Sequence, residues 1–227
     1  MERRDFLRLG LVMAPFSFAI GCRTHQFGQV IKDDQADMVG SHAAGAETFN
    51  PLINESVARL LGRQETQFHA VSYNSGAPNP MPKRVCFVCV ENRSIEELGD
   101  FKEQIYEQID SQILQSPMFA PVSRRFVDAA LYETRLRPDS LFLPENMRLF
   151  MAALEQQGQP FDYLLYAKLT SGTTENNHAY QRDYLLTLEM VNVHTGQYDK
   201  ESAKVRKGYH NSRVGKWLNY NPFTRQS

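Results

Sequence analysis

Two cysteines three positions apart, Cys86 and Cys89, form the pattern in this chain that most resembles reactive chemistry. A redox-active pair with this spacing normally sits at the N-terminus of a helix, where the helix dipole lowers the thiol pKa. Here both lie in the run 84–90, which is apolar and too short for a helix, and which we predict to be a strand buried on both faces. Residues three apart in a strand point to opposite faces and lie ~10 Å apart, whereas a disulfide needs Cα atoms within ~7 Å. We therefore interpret the two thiols as small buried hydrophobic groups, with a redox or metal site as the alternative.

Other catalytic and ligand-binding patterns are missing from the sequence. There is no GxSxG, SxxK, GxGxxG or P-loop motif, so neither a serine hydrolase nor a nucleotide-binding protein is indicated. We predict no catalytic residue, no metal, no cofactor and no small-molecule substrate, although an enzyme of an unrecognised type stays open. The histidines form no HxxxH or HExxH pair, and they stand at His25, His42, His69, His178, His194 and His210.

The third cysteine, Cys22, follows a segment that resembles an export signal. Residues 1–21 combine a charged start with an apolar run, residues 9–21, that is too short to span a bilayer comfortably. Arg3-Arg4 resembles a twin-arginine signal, and the general export route stays open. The segment 19–22, Ala-Ile-Gly-Cys, resembles a bacterial lipobox, in which the cysteine receives a diacylglycerol. We therefore predict a cleaved signal peptide and lipid attachment at Cys22.

The composition is that of a globular protein with additional segments at its ends. The chain has 227 residues, 42% of them hydrophobic, and a net charge of −1. These values exclude a wholly disordered chain, and the balanced charge argues against nucleic acid as a partner. Residues 22–49 are polar and predicted to be a lipid-anchored flexible tether, residues 50–208 an ordered domain, and residues 209–227 a basic, aromatic tail. The tail is either a frayed end or a segment that holds an anionic surface.

The hydrophobic pattern of residues 50–208 predicts an α/β fold: a single domain with a mixed sheet of about five strands, helices packed on it and a C-terminal antiparallel meander. Asn50-Pro51 is typical of a helix start, and Gly62 of a helix end. Loops are predicted at 64–82, 91–99 and 171–178, between periodic segments. The predicted strands are residues 84–90, 118–122, 163–169, 184–190 and 198–205.

Asn92, Arg93 and Ser94 are the candidate partner-binding residues. They follow the first predicted strand at its carboxyl end, where open α/β sheets often place ligand sites. The alternative is a loop in which Asn92 and Ser94 hydrogen-bond neighbouring backbone groups.

Several short segments, in this order and spacing, resemble one family. They are the strand 85–90 followed by Asn-Arg-Ser at 92–94, Met-Phe-Ala-Pro-Val at 118–122, Arg-Pro-Asp-Ser-Leu at 137–141, Phe-Asp-Tyr-Leu-Leu-Tyr at 161–166 and Val-Asn-Val-His-Thr-Gly at 191–196. Together they resemble the lipoprotein activators of penicillin-binding proteins, the LpoB-type family, over about residues 50–208.

The resemblance implies a lipoprotein of the outer membrane that faces the periplasm, with the inner membrane not excluded. It also implies that the protein has no catalytic activity of its own. Members of the family dock on a bifunctional peptidoglycan synthase, a penicillin-binding protein, and raise its activity in cell-wall synthesis. Since fold alone does not fix the partner, a structural lipoprotein of an envelope or secretion complex stays as the alternative. A periplasmic redox protein or enzyme that uses Cys86 and Cys89 is the third.

Overall fold

The computed structural model describes residues 46–75, 81–175 and 179–210, with side chains over 48–66, 81–175 and 180–208. The predicted signal peptide, the lipid attachment at Cys22, most of the predicted tether and the tail beyond residue 210 lie outside these ranges. The model therefore concerns the predicted domain.

The described chain contains five helical segments and five strands. The helical segments are α1 (Ala46–Ser75), α2 (Phe101–Gln115), α3 (Arg124–Thr134), a 3₁₀ helix (Pro138–Phe142) and α4 (Pro144–Gln156). The strands are β1 (Lys83–Arg93), β2 (Phe119–Pro121), β3 (Tyr163–Glu175), β4 (Ala179–Asn192) and β5 (Tyr198–His210).

The strands form one mixed sheet in the order β2-β1-β3-β4-β5. β1 pairs in parallel with both β2 and β3, and β3, β4 and β5 follow as an antiparallel meander. The predicted fold class is confirmed, including the number of strands and the C-terminal meander.

Helices α1 and α2 pack on one face of the sheet, which we call the first face. Their apolar stripes and alternate residues of β1, β3 and β4 form one cluster of buried side chains. At its centre the rings of Phe87 and Tyr106 stack with centroids 4.3 Å apart, and the Tyr106 hydroxyl donates to the Phe87 carbonyl oxygen at 2.8 Å. Helix α2 contributes Ile105, Ile109 and Ile113, which recur every fourth residue and are all buried.

The opposite or second face is covered by α3, the 3₁₀ helix and α4. The buried cluster beneath them is smaller and contains Val127, Leu141, Phe150 and Leu154 from the helices. Its sheet residues come from β1 and β3 and none from β4 or β5. The helices therefore cover only part of this face.

Helix α1 is much longer than predicted: it begins before Asn50-Pro51 and continues past Gly62. Glycine inside a helix costs ~1 kcal/mol relative to alanine. The residues that follow Gly62 are held by the sheet: Gln64 is buried, and its amide donates to Asp199 at 2.7 Å. These tertiary contacts outweigh the local preference, so the predicted end at Gly62 and the predicted loop from residue 64 are wrong.

Two strands also continue through predicted loops. β1 runs to Arg93, which pairs with Thr170, and β3 runs to Glu175, which pairs with Tyr180. Residues 171–175 are polar but include two threonines, which suit a pleated strand, and pairing with β4 satisfies their backbone groups. The predicted loops at 91–99 and 171–178 therefore begin too early.

A bulge in β1 changes the orientation of the cysteine pair. β1 has one more residue than β3 between Phe87 and Cys89, which shifts the pairing register there. An extra residue resets the alternation of side chains between the two faces. Cys86 and Cys89 consequently both contribute to the cluster on the second face, and the prediction that they point to opposite faces is wrong.

Candidate functional site

The predicted partner-binding residues take two different roles in the structure. Asn92 Oδ1 accepts hydrogen bonds from the backbone N–H and hydroxyl of Ser94, at 3.0 and 2.6 Å, and Asn92 Nδ2 donates to the Glu96 carbonyl oxygen at 2.7 Å. Asn92 and Ser94 thus hold the turn after β1, as in the alternative that the sequence left open. Arg93 is more than half exposed, and its Nε lies 2.6 Å from a Glu91 carboxylate oxygen. No observation tests partner binding by these residues, which stays a prediction.

The turn after β1 is attached to the sheet through Glu96. This carboxylate forms an ion pair with Arg182, and it accepts a hydrogen bond from the Tyr184 hydroxyl at 2.7 Å. Both charged side chains are less than one-fifth exposed. Since a largely buried ion pair that is also hydrogen-bonded has little freedom, the turn is held in a fixed position beside the sheet.

A groove with a volume of about 430 Å³ lies between the end of β1 and the 3₁₀ helix. Asn92 and Arg93 line one side of it, and Pro138 and Phe142 line the other. Tyr166 lies between them, because its hydroxyl donates to the Pro138 carbonyl oxygen at 2.9 Å and its ring stacks on Phe142 with centroids 4.7 Å apart. The Phe142 side chain remains 53% exposed, so the groove offers an aromatic contact to a partner.

The groove does not contain a reactive thiol, although Cys89 lines it. Burial raises the pKa of Cys89 to about 11, and it raises the pKa of the fully buried Cys86 further. The thiolate is the nucleophilic form of cysteine, and at neutral pH it is scarce at both positions. Both thiols are free, and this environment agrees with their interpretation as buried hydrophobic groups.

Beyond the groove, the second face of β3, β4 and β5 forms a polar surface that we call the open face. Cross-strand pairing aligns alternate residues of the three strands on this side of the sheet. The open face consists of Lys168 and Thr170 from β3, Asp183, Leu185 and Glu189 from β4, and Lys200, Ser202, Lys204 and Arg206 from β5, while Thr187 on the same side is buried.

Glu189 lies between two lysines at the centre of this surface. Its Oε1 is 3.3 Å from Lys168 Nζ on β3 and 3.5 Å from Lys200 Nζ on β5. The glutamate is largely covered, while the Lys200 side chain is 49% exposed. One carboxylate therefore serves two ammonium groups, and the balance of charge is positive.

Asp183 has the same arrangement further along β4. Its two carboxylate oxygens lie 2.6 Å from Lys204 Nζ and 3.1 Å from Arg206 Nε. The hydrogen bond from Lys204 holds the pKa of Asp183 below its usual value. The pairs order these long side chains, but exposed ion pairs contribute little to stability.

The open face is absent from the residues predicted to bind a partner, although β5 carries a signal for it. The even positions of β5 from 198 to 206 read Tyr-Lys-Ser-Lys-Arg, while the odd positions include Ala203 and Val205. This alternation separates a polar face from a half-buried one. Its position opposite Asp183 and Glu189 depends on the register of three strands, which the sequence alone does not fix.

Neither a metal site nor a membrane-spanning helix is found among residues 46–75, 81–175 and 179–210. In that part of the chain no group of three or more His, Cys, Asp or Glu side chains is placed to hold a metal ion. Nor is any helix there long and apolar enough to cross a membrane.

One face of the sheet carries a large buried core, and the other carries an exposed groove and a charged, ordered surface. This combination is typical of a binding domain. The family model of the peptidoglycan-synthase activator LpoB matches residues 63–199, more than half of the chain. The chain therefore belongs to the LpoB family of peptidoglycan-synthase activators, and the resemblance predicted from the sequence is confirmed. No curated protein matches the chain.

Solved structures of several lipoproteins are similar to the chain. The LpoB C-terminal domain from Salmonella enterica is 18% identical with a TM-score of 0.44, and the match covers 69% of this chain and 97% of that one. The LpoB C-terminal domain from Escherichia coli is 19% identical with a TM-score of 0.41, covering 68% and 97%. Lipoprotein GNA1162 from Neisseria meningitidis is 18% identical with a TM-score of 0.40, covering 60% and 90%. These likenesses are too distant to carry an argument, and the family assignment rests on the family model.

Proposed function

We propose that this protein is an exported lipoprotein that binds a bifunctional penicillin-binding protein and raises its peptidoglycan synthase activity. The observation that carries the proposal is the match to the activator family over residues 63–199, which extends from the second half of α1 into β5. The protein would act as a regulator without catalytic residues of its own. The high thiol pKa values at Cys86 and Cys89 favour this proposal over a redox enzyme.

The proposed anchor is a lipid on Cys22 in the outer membrane, with the domain facing the periplasm. Each buried CH₂ contributes ~0.8 kcal/mol, so several acyl chains hold a protein stably. Residues 22–45 precede α1, and a segment of that length reaches at most ~80 Å when fully extended. This reach limits how far from its membrane the domain can meet a synthase.

Activation without catalysis requires that the protein binds the active form of the synthase more tightly than the inactive form. A ligand shifts an equilibrium only by its difference in affinity for the two states. A rigid domain suits this role, because little of its binding free energy is lost in ordering it. The large buried cluster on the first face and the attached turn after β1 supply that rigidity.

The proposal is tested by in-cell cross-linking of the lipidated protein, with captured partners identified by mass spectrometry. We expect a bifunctional penicillin-binding protein among them, and we expect its glycan polymerisation rate to rise when the purified lipoprotein is added. A Cys22→Ser variant is the control for the anchor and should lose the capture in cells while still activating the synthase in solution.

The alternative is a structural role in an envelope or secretion complex. Capture of only copies of the chain itself or of secretion components would contradict the activator proposal. So would an unchanged polymerisation rate with the purified proteins.

A further inference from the structure

The groove and the open face are one continuous surface. Lys168 and Glu189 belong to the open face and also line the groove. Arg93, on the other side of the groove, pairs with Thr170 of the open face. A partner that enters the groove therefore also meets β3, β4 and β5.

This surface is basic in a chain whose net charge is −1. On the open face, two carboxylates are shared by four basic side chains. Around the groove, the three further bases are Arg93, Lys102 and Arg137, and the two further acids are Glu91 and Asp139. Basic residues therefore outnumber acidic ones in both parts of the surface.

An apolar anchor lies at one end of the same surface. Phe142, 53% exposed, is fixed by stacking on Tyr166, and the adjacent Leu143 is 60% exposed. Binding energy in protein interfaces is concentrated in a few aromatic and basic side chains that a partner can desolvate. A fixed, half-exposed phenylalanine beside a row of lysines has both properties.

We propose that the groove and the open face together form the docking surface for the synthase, and that the synthase presents a convex acidic element with an apolar side chain that packs on Phe142. This inference rests on the function proposed above and names the surface and the chemistry of the partner. Charge complementarity selects the occupant: carboxylates of the partner complete the coordination of lysines that share a single acid within this chain. Such pairs steer association and make it sensitive to salt, whereas the apolar contact acts mainly on dissociation.

The double variant Lys200→Gln, Lys204→Gln tests the electrostatic half of the proposal. Binding of the full-length lipidated protein, in detergent, is measured against the purified bifunctional penicillin-binding protein of the same organism. We expect the Kd to rise about tenfold, with most of the change in the association rate and a weaker dependence on salt. Lys207→Gln is the matched control, because Lys207 lies on the same strand but on the first face, opposite Arg182 in the strand register. The Kd of this variant should stay within about twofold of the parent's.

The variant Phe142→Ala tests the apolar half independently. Since this side chain is half exposed, we expect the variant to keep the thermal stability of the parent while its Kd rises about tenfold through faster dissociation. Unchanged binding by both the lysine variant and the Phe142 variant would overturn the proposed surface and leave the activator function standing. A wild-type protein that binds no synthase would overturn both proposals.

The chemistry of the partner is tested with two anionic probes, vesicles containing phosphatidylglycerol and isolated peptidoglycan. We expect the lysine substitutions to weaken binding to either anionic probe less than they weaken binding to the synthase. If the lysine substitutions reduce binding to either probe and leave synthase binding unchanged, the occupant is that polymer or lipid surface, and the proposal is wrong.

Discussion

The two faces of the sheet differ in what their side chains do. On the first face, α1 and α2 cover β1, β3 and β4 with one large apolar cluster. On the second face, three helical segments cover the beginning of β1 and β3, and the rest of the face carries charged and hydroxyl side chains. The difference indicates that the apolar core is larger on one side of the sheet, and that the uncovered part of the other side is free to carry a recognition surface.

The two faces also differ in the cost of changing them. A buried aromatic ring on the first face is surrounded by packed neighbours, so its removal leaves a cavity. A lysine on the open face has water on one side and a shared carboxylate on the other, so its removal leaves little unsatisfied. Substitutions on the two faces should therefore separate stability from binding.

The largest effect on stability is expected from Phe87→Ala on the first face. The ring is fully buried and stacked on Tyr106, and truncation of a buried phenylalanine costs about 3–5 kcal/mol. Urea denaturation should show this loss in the free energy of unfolding. Tyr132→Ala is the control, because that side chain is 88% exposed on α3 and should change stability by less than about 0.5 kcal/mol. Equal losses for the two variants would contradict the packing of Phe87 in the core of the first face.

A smaller loss, about 2 kcal/mol, is expected from Glu96→Ala. The substitution removes the ion pair with Arg182 and the hydrogen bond that the Tyr184 hydroxyl donates to Glu96. Removing one partner of a fully buried pair costs about 3–5 kcal/mol, and partial exposure reduces that value. The neighbouring exposed acid gives a matched control, Glu97→Ala, which should be neutral in the same denaturation experiment. A neutral Glu96→Ala would show that the turn after β1 is not held by this contact.

A gain in stability of about 1 kcal/mol is expected from Asp110→Asn at pH 7.5. Burial, and then the neighbouring Glu107, raises the pKa of Asp110 to about 6, and its Oδ1 is buried without a hydrogen-bond partner. Because the folded state binds this proton more tightly than the unfolded state, the parent protein loses stability as the pH rises from about 4 to about 6. The advantage of the asparagine variant should be complete above pH 6.5 and should disappear towards pH 4. An advantage that does not change with pH would contradict the titration.

The smallest effect on stability is expected from Lys204→Ala on the open face. Its Nζ lies 2.6 Å from Asp183 in an exposed pair, and such pairs contribute little to stability. The midpoint of urea denaturation should therefore be nearly unchanged at neutral pH. The pKa of Asp183 is lowered in the folded state, so any contribution of this pair is present above the unfolded pKa of the carboxyl and lost as the pH falls through the folded one. A loss comparable with that of Phe87→Ala would contradict the division between the two faces.

The order of elements was predictable because each buried element has a distinct hydrophobic pattern. Ile105, Ile109 and Ile113 recur every fourth residue, which is typical of a helix with one buried face. The continuous apolar run at 84–90 predicted a strand covered on both faces, as the structure has it. Positions at which tertiary contacts override local preference were not predictable. Gly62 is typical of a helix end, yet α1 continues because the residues beyond it contact β5.

The candidate site was only partly predictable, because it depends on register. The carboxyl end of β1 was identified from the sequence, and Arg93 there does line the groove. Asn92 and Ser94 form hydrogen bonds with each other and with the local backbone. The sequence left this arrangement open as an alternative. A one-residue shift in pairing would move Lys200 and Lys204 to the other face, and the bulge at residues 87–89 reverses the expected orientation of Cys89.

Lysine footprinting of the protein in its complex with the synthase would locate the docking surface directly. The full-length lipidated protein is acetylated with and without the purified synthase, and the modified lysines are quantified by mass spectrometry. We expect the synthase to protect Lys168, Lys200 and Lys204 on the open face from acetylation. The acetylation of Lys207, on the first face of β5, should not change. Protection of Lys207 with continued labelling of Lys200 and Lys204 would show that the synthase binds the other side of the sheet, and would contradict the account.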